Sequence, residues 1–332
     1  MIILGIESTA HTFGIAILDE KGKVYCNIKD TYTTEKGGII PLEAAKHHER
    51  LKYEMLEEAL KVSELELKNI DLISVSQGPG LAPCLLQGMH FAKEISKKTN
   101  KEIVGVNHCI AHLEIGKLKT KAKDPVLLYC SGANTQIIAY AAGKYRIFGE
   151  TLDMGIGNFI DSFARHVGLG FPGGPKIAEL ARKASEKDFV ELPYSIKGMD
   201  VSFSGILTNL RQKFDSGKYK LESLSYSLQE TAFPMLIEAA ERAMAHLRKK
   251  ELLLGGGVAC NTRLQEMAKI MCKERGAKDF CPEAQFLVDN AAMIAWQGFL
   301  QKKDAVKPHT EEFSKLDIKP YQRTDDVEVT WK

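Results

Sequence analysis

The sequence predicts an α/β fold with two lobes and a cleft between them, and three observations lead to this prediction. The chain has 332 residues, a length at which a single hydrophobic core usually gives way to two lobes. A set of three short strands joined by polar turns opens the chain, and the same pattern returns roughly 125 residues later as an internal repeat. Alternating helices and strands follow each set, which is typical of mixed sheets covered by helices.

The first half is expected to begin with three apolar strands, each bounded by polar or glycine-containing turns, over residues 2–6, 14–18 and 24–28. Helices and strands are then expected to alternate. The predicted order is a helix over about residues 42–62, a strand over 72–76, a helix over 85–98 and a strand over 102–106.

The second half repeats this order, with strands predicted over residues 126–130, 136–141 and 145–148. The elements expected after them are helices near residues 159–167, 175–183 and 225–248, and a strand over 252–254. We therefore expect duplicated βββαβαβα units. They form an amino-terminal lobe over residues 1–124 and a carboxy-terminal lobe over 125–303, and the tail, 304–332, is expected to pack back on the amino-terminal lobe.

The composition excludes several classes of protein. Apolar residues make up 44% and charged residues 27% of the chain, which argues against a disordered or fibrous protein. The net charge of +2 is small for a protein that coats DNA, so a nucleic acid would have to meet a local basic patch or further subunits. The candidates for such a patch are Lys97, Lys98, Lys101, Lys117, Lys119, Lys121 and Lys123.

Targeting patterns and cysteine usage indicate where the protein works. The amino terminus has no signal-peptide pattern, and no apolar run approaches the length of a membrane helix. The seven cysteines include no C-x-x-C pair. These features predict a cytoplasmic protein with reduced thiols and no membrane partner.

Four polar or glycine-containing turns follow predicted strands, at residues 7–12, 77–80, 131–135 and 255–257. Glycine lets backbone N–H groups approach an anion closely, and hydroxyl side chains add donors. The first and third turns occupy matching places in the repeat and resemble the phosphate-facing hairpins of the actin, sugar-kinase and heat-shock chaperone superfamily. The fourth turn, with Asn261 after it, is placed to hold an adenosine.

Other nucleotide-binding motifs do not fit the sequence. It contains no P-loop motif. A G-x-G-x-x-G pattern begins at Gly168, but it follows a predicted helix, whereas the Rossmann fingerprint requires a strand before it.

His108 and His112 are spaced i, i+4 after a predicted strand, which places both imidazoles on one face of a helix, as two metal ligands require. Tyr129 and Asp289 are candidates for the remaining ligands. Two nitrogens, a phenolate and a carboxylate favour iron and also allow zinc. The alternative is two unrelated histidines and an Asp289 that caps a helix. A zinc protease is disfavoured because the H-E-x-x-H motif is absent.

Taken together, the motifs resemble those of the universal tRNA threonylcarbamoyl-transferase family, in its archaeal and eukaryotic branch. The resemblance extends over essentially the whole chain. The segments that carry it are GIESTAHTFGIAI, QGPGL, NHCIAH, YCSGANTQ, ETLDMGIGNFIDSFAR, FPGGP, KGMDVSFSG, GGGVACN, DNAAMIAW and YQRTDDVEVTW.

The resemblance implies an acyltransferase that moves threonylcarbamoyl from its adenylate to the exocyclic amine of a tRNA adenosine beside the anticodon, releasing AMP. It implies one metal ion on His108, His112, Tyr129 and Asp289, with magnesium allowed alongside the nucleotide. It also implies partner subunits of the KEOPS type, including a small protein kinase. The implied substrate-binding residues are Tyr129, Cys130, Ser131, Gly132, Ala133, Asp161, Gly174 and Asn261.

Two departures from the family pattern concern the substrate. Ala133 stands where relatives commonly carry glycine, and Ala178 stands where many close relatives carry an acid near the ribose; Glu179 is one helical step away. No residue stands out as a general base. Two other classes stay open at this point: a small-molecule kinase of the same superfold, and a nucleotide-binding scaffold subunit without its own catalysis.

Overall fold

The computed structural model describes residues 1–34 and 37–332, and its amino-terminal part is built on a five-stranded sheet. The strand order in this sheet is β3-β2-β1-β4-β5. Its strands are β1 (Ile2–Glu7), β2 (Thr12–Asp19), β3 (Val24–Thr31), β4 (Leu72–Gly78) and β5 (Glu102–Asn107). The helices in this part of the chain are α1 (Pro41–Ser63), α2 (Ala82–Thr99) and α3 (His108–Thr120).

A second five-stranded sheet follows, in the order β12-β11-β6-β7-β8, and β9 and β10 form a small ribbon beside it. The strands are β6 (Val126–Cys130), β7 (Thr135–Ala141), β8 (Lys144–Glu150), β9 (Ile196–Lys197), β10 (Asp200–Val201), β11 (Glu251–Gly255) and β12 (Lys278–Phe280). The helices are α4 (Ile156–His166), α5 (Gly174–Ala181), α6 (Ser204–Asp215), α7 (Leu221–Leu247), α8 (Thr262–Glu274), α9 (Ala284–Leu287), α10 (Ala291–Leu300) and α11 (Glu311–Lys315).

The two large sheets share the duplicated pattern predicted from the sequence. In each, an antiparallel three-stranded meander comes first, and its first strand then pairs in parallel with a later strand. β1 pairs with β4 in the first sheet, and β6 pairs with β11 in the second. The predicted elements are present, with ends displaced by up to four residues: α7 begins at Leu221 rather than at residue 225.

The amino-terminal sheet is covered on both faces. α1 and α2 pack on one face, around a core that includes Leu4, Ile6 and Phe91. α3 and α10 cover the other face, around Ile3, Val104 and Ile294. Both faces of β1 are therefore buried, which explains its continuous apolar sequence.

α10 packs on the amino-terminal sheet, although the sequence analysis assigns residues 125–303 to the carboxy-terminal lobe. The contact is close because Gly5 in β1 has no side chain: a Cβ there would lie 2.3 Å from the Ala291 carbonyl oxygen and 2.7 Å from the Ala295 nitrogen. Ser74 in β4 donates a hydrogen bond to the Ile294 carbonyl at 2.7 Å. The lobe boundaries stay a prediction, but this helix completes the core of the first sheet.

The tail contacts both halves. Val306 bridges to Ile103, and Phe313 is buried in the core beneath α1 and α2. Further on, the Trp331 indole N–H donates to the Glu114 carboxylate in α3 at 3.2 Å. The first part of the tail thus packs on the amino-terminal sheet, and Val327 and Trp331 near its end pack with Tyr145 of the second sheet.

Among the described residues, no helix combines the length and the apolar character needed to cross a lipid bilayer.

The contact between Gly5 and α10 predicts a stability difference between two glycine variants. We expect Gly5→Ala to lower the free energy of unfolding by about 1–3 kcal/mol, because the added methyl group overlaps backbone atoms of α10. Gly205→Ala, in α6, is the control, since its Cβ would meet no atom within 4 Å and alanine favours helix. Urea unfolding of both variants checks this, and equal stabilities would contradict the proposed role of Gly5.

Candidate functional site

A cavity of about 1070 Å³ opens between turns that follow strands of both large sheets. Turn residues of the first half line it, among them Thr9, His11 and Gly80. Of the predicted site residues, His108, Tyr129, Ser131, Gly132, Ala133, Asp161, Gly174, Asn261 and Asp289 also line it. His112 and Cys130 are buried outside this lining, and the Cys130 side chain packs in the hydrophobic core of the second half.

The two histidines are held by the abrupt start of α3. β5 ends at Asn107, whose side chain accepts hydrogen bonds from the backbone N–H groups of Cys109 and Ile110, at 3.0 and 3.1 Å. This cap fixes the first turn of the helix and satisfies N–H groups that would otherwise lack partners. His108 and His112 therefore share one face, with ring centroids 4.8 Å apart.

Asp289 and Tyr129 join His108 and His112 to form a cluster of four side chains, the metal-ligand group. Asp289 Oδ1 lies 3.3 Å from His108 Nε2 and 3.4 Å from His112 Nε2. The Tyr129 hydroxyl lies 3.1 Å from His108 Nε2. Asp289 is not the helix cap: Asn290 caps α10 by accepting from the Met293 N–H at 3.0 Å. The Asp289 carboxylate is thereby left to face the histidines.

Glu7 fixes the orientation of His108, a role that was not predicted from the sequence. Glu7 ends β1 and is fully buried. Its Oε2 lies 3.0 Å from His108 Nδ1, and its Oε1 accepts from the Thr9 backbone N–H at 2.7 Å. We assign the Nδ1 proton to the bond with Glu7, so Nε2 faces Tyr129 and Asp289, and its lone pair becomes available when a cation displaces the Nε2 proton. The signal in the sequence was a charged residue at the end of an otherwise apolar strand.

The electrostatics of this group favour a bound cation. Burial opposes ionisation of His108, but the Glu7 and Asp289 carboxylates outweigh it and raise the pKa of His108 well above its ordinary value. Burial likewise opposes ionisation of Asp289, but the charge of His108 and the contacts with both histidines outweigh it and hold the pKa of Asp289 well below its ordinary value. Burial also lowers the pKa of His112, which keeps its ring neutral. Burial raises the pKa of Tyr129 well above its ordinary value, so a phenolate there requires a cation beside it.

The donor set fits a metal ion. One atom each of His108, His112 and Asp289 lie within 4.8 Å of one another. Ligands about 2.0–2.2 Å from one ion are themselves separated by about 3.0–3.5 Å, and the distances between Asp289 Oδ1 and the two Nε2 atoms fall in this range. A carboxylate behind a ligating histidine, as Glu7 stands behind His108, is the usual support of such a site.

A tight turn over residues 131–134 forms another part of the cavity wall. Ser131 closes it, because its backbone N–H donates to the Asn134 carbonyl at 2.9 Å and its hydroxyl donates to the same oxygen at 3.0 Å. The N–H groups of Gly157 and Asn158 in α4 donate to the carbonyls of Ser131 and Gly132. Within the described residues, the N–H groups of Gly132 and Ala133 have no acceptor, so they remain available to an anion.

Asp161 and Gly174 act together at the start of α5. Asp161 Oδ1 accepts from the Gly173 N–H at 2.7 Å. Burial raises the pKa of Asp161 although the Gly173 and Gly174 N–H groups and Arg165 lower it in part. The Asp161 carboxylate therefore supports the FPGG turn and also faces the cavity.

Asn261 is tied to a residue that the sequence analysis missed. Its Oδ1 accepts from the Arg263 N–H at 2.9 Å and caps α8, while its Nδ2 donates to Gln229 Oε1 at 2.6 Å. Gln229 projects from the middle of α7 and also lines the cavity. Asn261 and Gln229 thus form one polar pair on the wall predicted to hold the adenosine.

The departures from the family pattern can also be placed. Ala178 lines the cavity, so no acid stands at that point of the wall. The Glu179 carboxylate lies 3.6 Å from Lys183 Nζ and is largely exposed. A ribose contact by Glu179 therefore gains no support from this structure.

Several of the lysines considered as a nucleic-acid patch make contacts within the protein, and the patch stays a prediction. Lys117 pairs with Glu114 at 2.7 Å, and Lys119 donates to the Gly22 carbonyl at 3.1 Å. Lys97 lies over the Phe313 ring instead. At least these three ammonium groups are engaged within the protein.

Comparison with known proteins identifies a family. Residues 23–296 match the family model for tRNA N6-adenosine threonylcarbamoyltransferase. The protein of that name from Thermococcus kodakarensis is 54% identical over 331 residues, which cover 100% of each chain. A probable bifunctional tRNA threonylcarbamoyladenosine biosynthesis protein from Methanocaldococcus jannaschii is 50% identical over 331 residues, which cover 100% of this chain and 60% of that protein.

Solved structures confirm the predicted fold class. Full-length HypF, in a phosphate- and nucleotide-bound form, aligns over 91% of this chain and 55% of its own, with a TM-score of 0.60 and 11% identity. Component A of the (R)-2-hydroxyglutaryl-CoA dehydratase from Acidaminococcus fermentans aligns over 91% and 99%, with a TM-score of 0.55 and 12% identity. These likenesses show the two-lobed, actin-like ATPase fold alone.

The ligand geometry predicts that His112→Ala loses bound metal, because one of three converging donor atoms is removed. Elemental analysis after dialysis measures the metal retained per chain. His90→Ala, an exposed histidine on α2, is the matched control and should retain it. Full retention in the His112 variant would contradict the assignment.

Removing the charge of Glu7, the buried carboxylate behind His108, is predicted to weaken metal binding less than loss of a ligand does. We expect Glu7→Gln to reduce metal affinity by about 10–100-fold, because the amide keeps the shape but loses the charge that orients the imidazole. Competition with a chelating dye measures this affinity. Glu43→Gln, at an exposed ion pair, should leave it unchanged, and an equal loss in both variants would count against a specific role for Glu7.

Proposed function

This chain belongs to the tRNA N6-adenosine threonylcarbamoyltransferase family, and we propose that it transfers threonylcarbamoyl from threonylcarbamoyl-adenylate to the exocyclic amine of a tRNA adenosine beside the anticodon. The observation that carries this proposal is a single cavity bordered by a metal-ligand group and by an anion-binding turn. A mixed anhydride of a nucleotide presents a phosphate and a carbonyl that match these two features.

The donor is proposed to lie across the cavity with its phosphate at the turn over residues 131–134. The N–H groups of Gly132 and Ala133 supply donors there, and Tyr129 and Cys130 set the turn's position at the end of β6. Asn261 and Gln229 face the adenosine. Asp161 and Gly174 border the threonyl or ribose part.

His108, His112, Tyr129 and Asp289 are proposed to hold one metal ion, iron first and zinc second, with Mg²⁺ accompanying the nucleotide. A metal ion bound there supplies positive charge that stabilises negative charge developing on donor oxygens. Glu7 holds the His108 imidazole in place through Nδ1. The buried walls around Tyr129 limit access of water to the donor.

In the proposed reaction the adenine amine attacks the carbamoyl carbon. An N–C bond forms, the C–O bond to the phosphate breaks, AMP leaves and the amine loses one proton. Because a mixed anhydride has a good leaving group, positioning and charge stabilisation carry the reaction, and no general base is assigned.

The proposal also covers the cellular location of the enzyme and its partner subunits. We expect it to work in the cytoplasm with KEOPS-type subunits, among them a small protein kinase.

Incubation of the purified chain with threonylcarbamoyl-adenylate and unmodified tRNA, with and without partner subunits, tests the function. We expect modified adenosine and AMP in equal amounts, and a loss of roughly 100-fold or more for His112→Ala against His90→Ala. Equal product from both variants within the assembly would indicate a scaffold. ATP- and Mg²⁺-dependent phosphorylation of a small molecule without tRNA would indicate a kinase.

A further inference from the structure

Tyr321 is the most exposed large hydrophobic side chain in the described part of the chain, at 94% of its accessible area. The next value is 65%, for Leu42. A single exposed apolar residue is ordinary on a protein surface, so exposure alone assigns nothing. The position of this residue and the rigidity of its backbone distinguish it.

Tyr321 directly follows a residue that lines the cavity described above. Its neighbour Pro320 lines that cavity together with His108 and Asp289. The Pro320 carbonyl accepts from the Gly80 N–H at 3.1 Å, and the following Leu81 N–H donates to the Thr9 carbonyl at 2.8 Å. A short chain of contacts thus connects this segment to the turn that supports the metal-ligand group.

The backbone around Tyr321 is fixed on both sides. The Lys319 N–H donates to the Gln77 carbonyl at 2.7 Å, and the Gln322 N–H donates to the Lys319 carbonyl at 3.0 Å. Asn107, which caps α3, donates to the Gln322 side chain at 3.2 Å. Because the turn is held to β4 and to the start of α3, the ring is presented to solvent by a rigid support.

A rigid, exposed aromatic ring beside a cavity that must admit one nucleotide has the properties of a base-stacking platform. The exposed Lys319 adds positive charge within two residues of the ring. The Arg182 side chain also lines the cavity and has no ion-pair partner among residues 1–34 and 37–332. Both charges suit a phosphodiester backbone.

We propose that Tyr321 stacks on an RNA base next to the acceptor adenosine and so places that adenosine in the cleft. This inference rests on the proposed function, since it assumes that single-stranded RNA is the substrate. Stacking tolerates any base, and movement of the acceptor into the cavity exposes one face of each flanking base. Tyr321 is therefore a positioning residue for the RNA and makes no contact with the donor.

The test measures binding of an unmodified anticodon stem–loop RNA to the full chain by fluorescence anisotropy, without donor. We expect Tyr321→Ala to weaken binding at least about 5-fold, as the loss of one stacked base requires. Tyr321→Phe keeps the ring and should bind within about 2-fold of the unchanged chain. Tyr219→Ala, an exposed tyrosine away from the cavity, is the matched control and should have no effect.

A double-mutant cycle with abasic RNA locates the contact. If Tyr321 stacks on one neighbouring base, removal of that base should abolish the difference between Tyr321→Ala and the unchanged chain, while removal of the base on the other side should preserve it. The inference would be overturned if Tyr321→Ala bound the RNA as tightly as the unchanged chain. It would also be overturned if the loss of affinity from Tyr321→Ala simply added to the loss from removing a base, in each of the abasic RNAs. Loss of a partner subunit with unchanged RNA binding would also overturn it.

Transfer assays separate this inference from the proposed function. If the unchanged chain modifies tRNA and Tyr321→Ala does so with the same KM for RNA, the inference fails and the function stands. If no transfer occurs but the binding cycle shows coupling, the function fails and the stacking site stands. We expect KM for RNA to rise and KM for the donor to stay constant.

Discussion

The site depends on one buried interaction, between the carboxylate of Glu7 and the imidazole of His108. A carboxylate that is fully removed from water costs several kcal/mol unless donors surround it. Here the Thr9 N–H, the Thr9 hydroxyl and His108 Nδ1 supply those donors, so the end of β1, the turn after it and the start of α3 must stay together. The position of one candidate metal ligand is thereby set by the same bonds that stabilise the first sheet.

The first turns of two helices position the other members of the metal-ligand group. α3 and α10 each begin beside the cavity, and each is capped by an asparagine, Asn107 and Asn290. Because the amides satisfy the free backbone N–H groups, the adjacent His108 and Asp289 side chains need not do so. Each asparagine cap stands next to a candidate ligand in the chain. Because the asparagine binds the backbone N–H groups of the helix end, the neighbouring histidine or aspartate side chain can face the other members of the metal-ligand group.

Much of this arrangement could be predicted from the sequence, because apolar periodicity and the i, i+4 histidines are local signals. The duplicated meanders were evident for that reason, and so was the common face of His108 and His112. The choice of Asn290 over Asp289 as the cap was not predictable, since both residue types cap helices and only the tertiary position of the histidines decides between them. The placement of α10 was also hidden: its sequence is apolar on nearly every side, so it indicates burial without indicating which sheet buries it.

The same helix has a consequence for the order in which the chain can fold. α10 is synthesised after the entire second sheet, yet it covers strands made near the start of translation. Until about residue 300 emerges from the ribosome, part of one face of the first sheet remains uncovered, and Asp289 is absent from the cavity. The first half therefore completes its core only when the chain has been made nearly to its end, and the proposed metal site, which needs Asp289, can form no earlier.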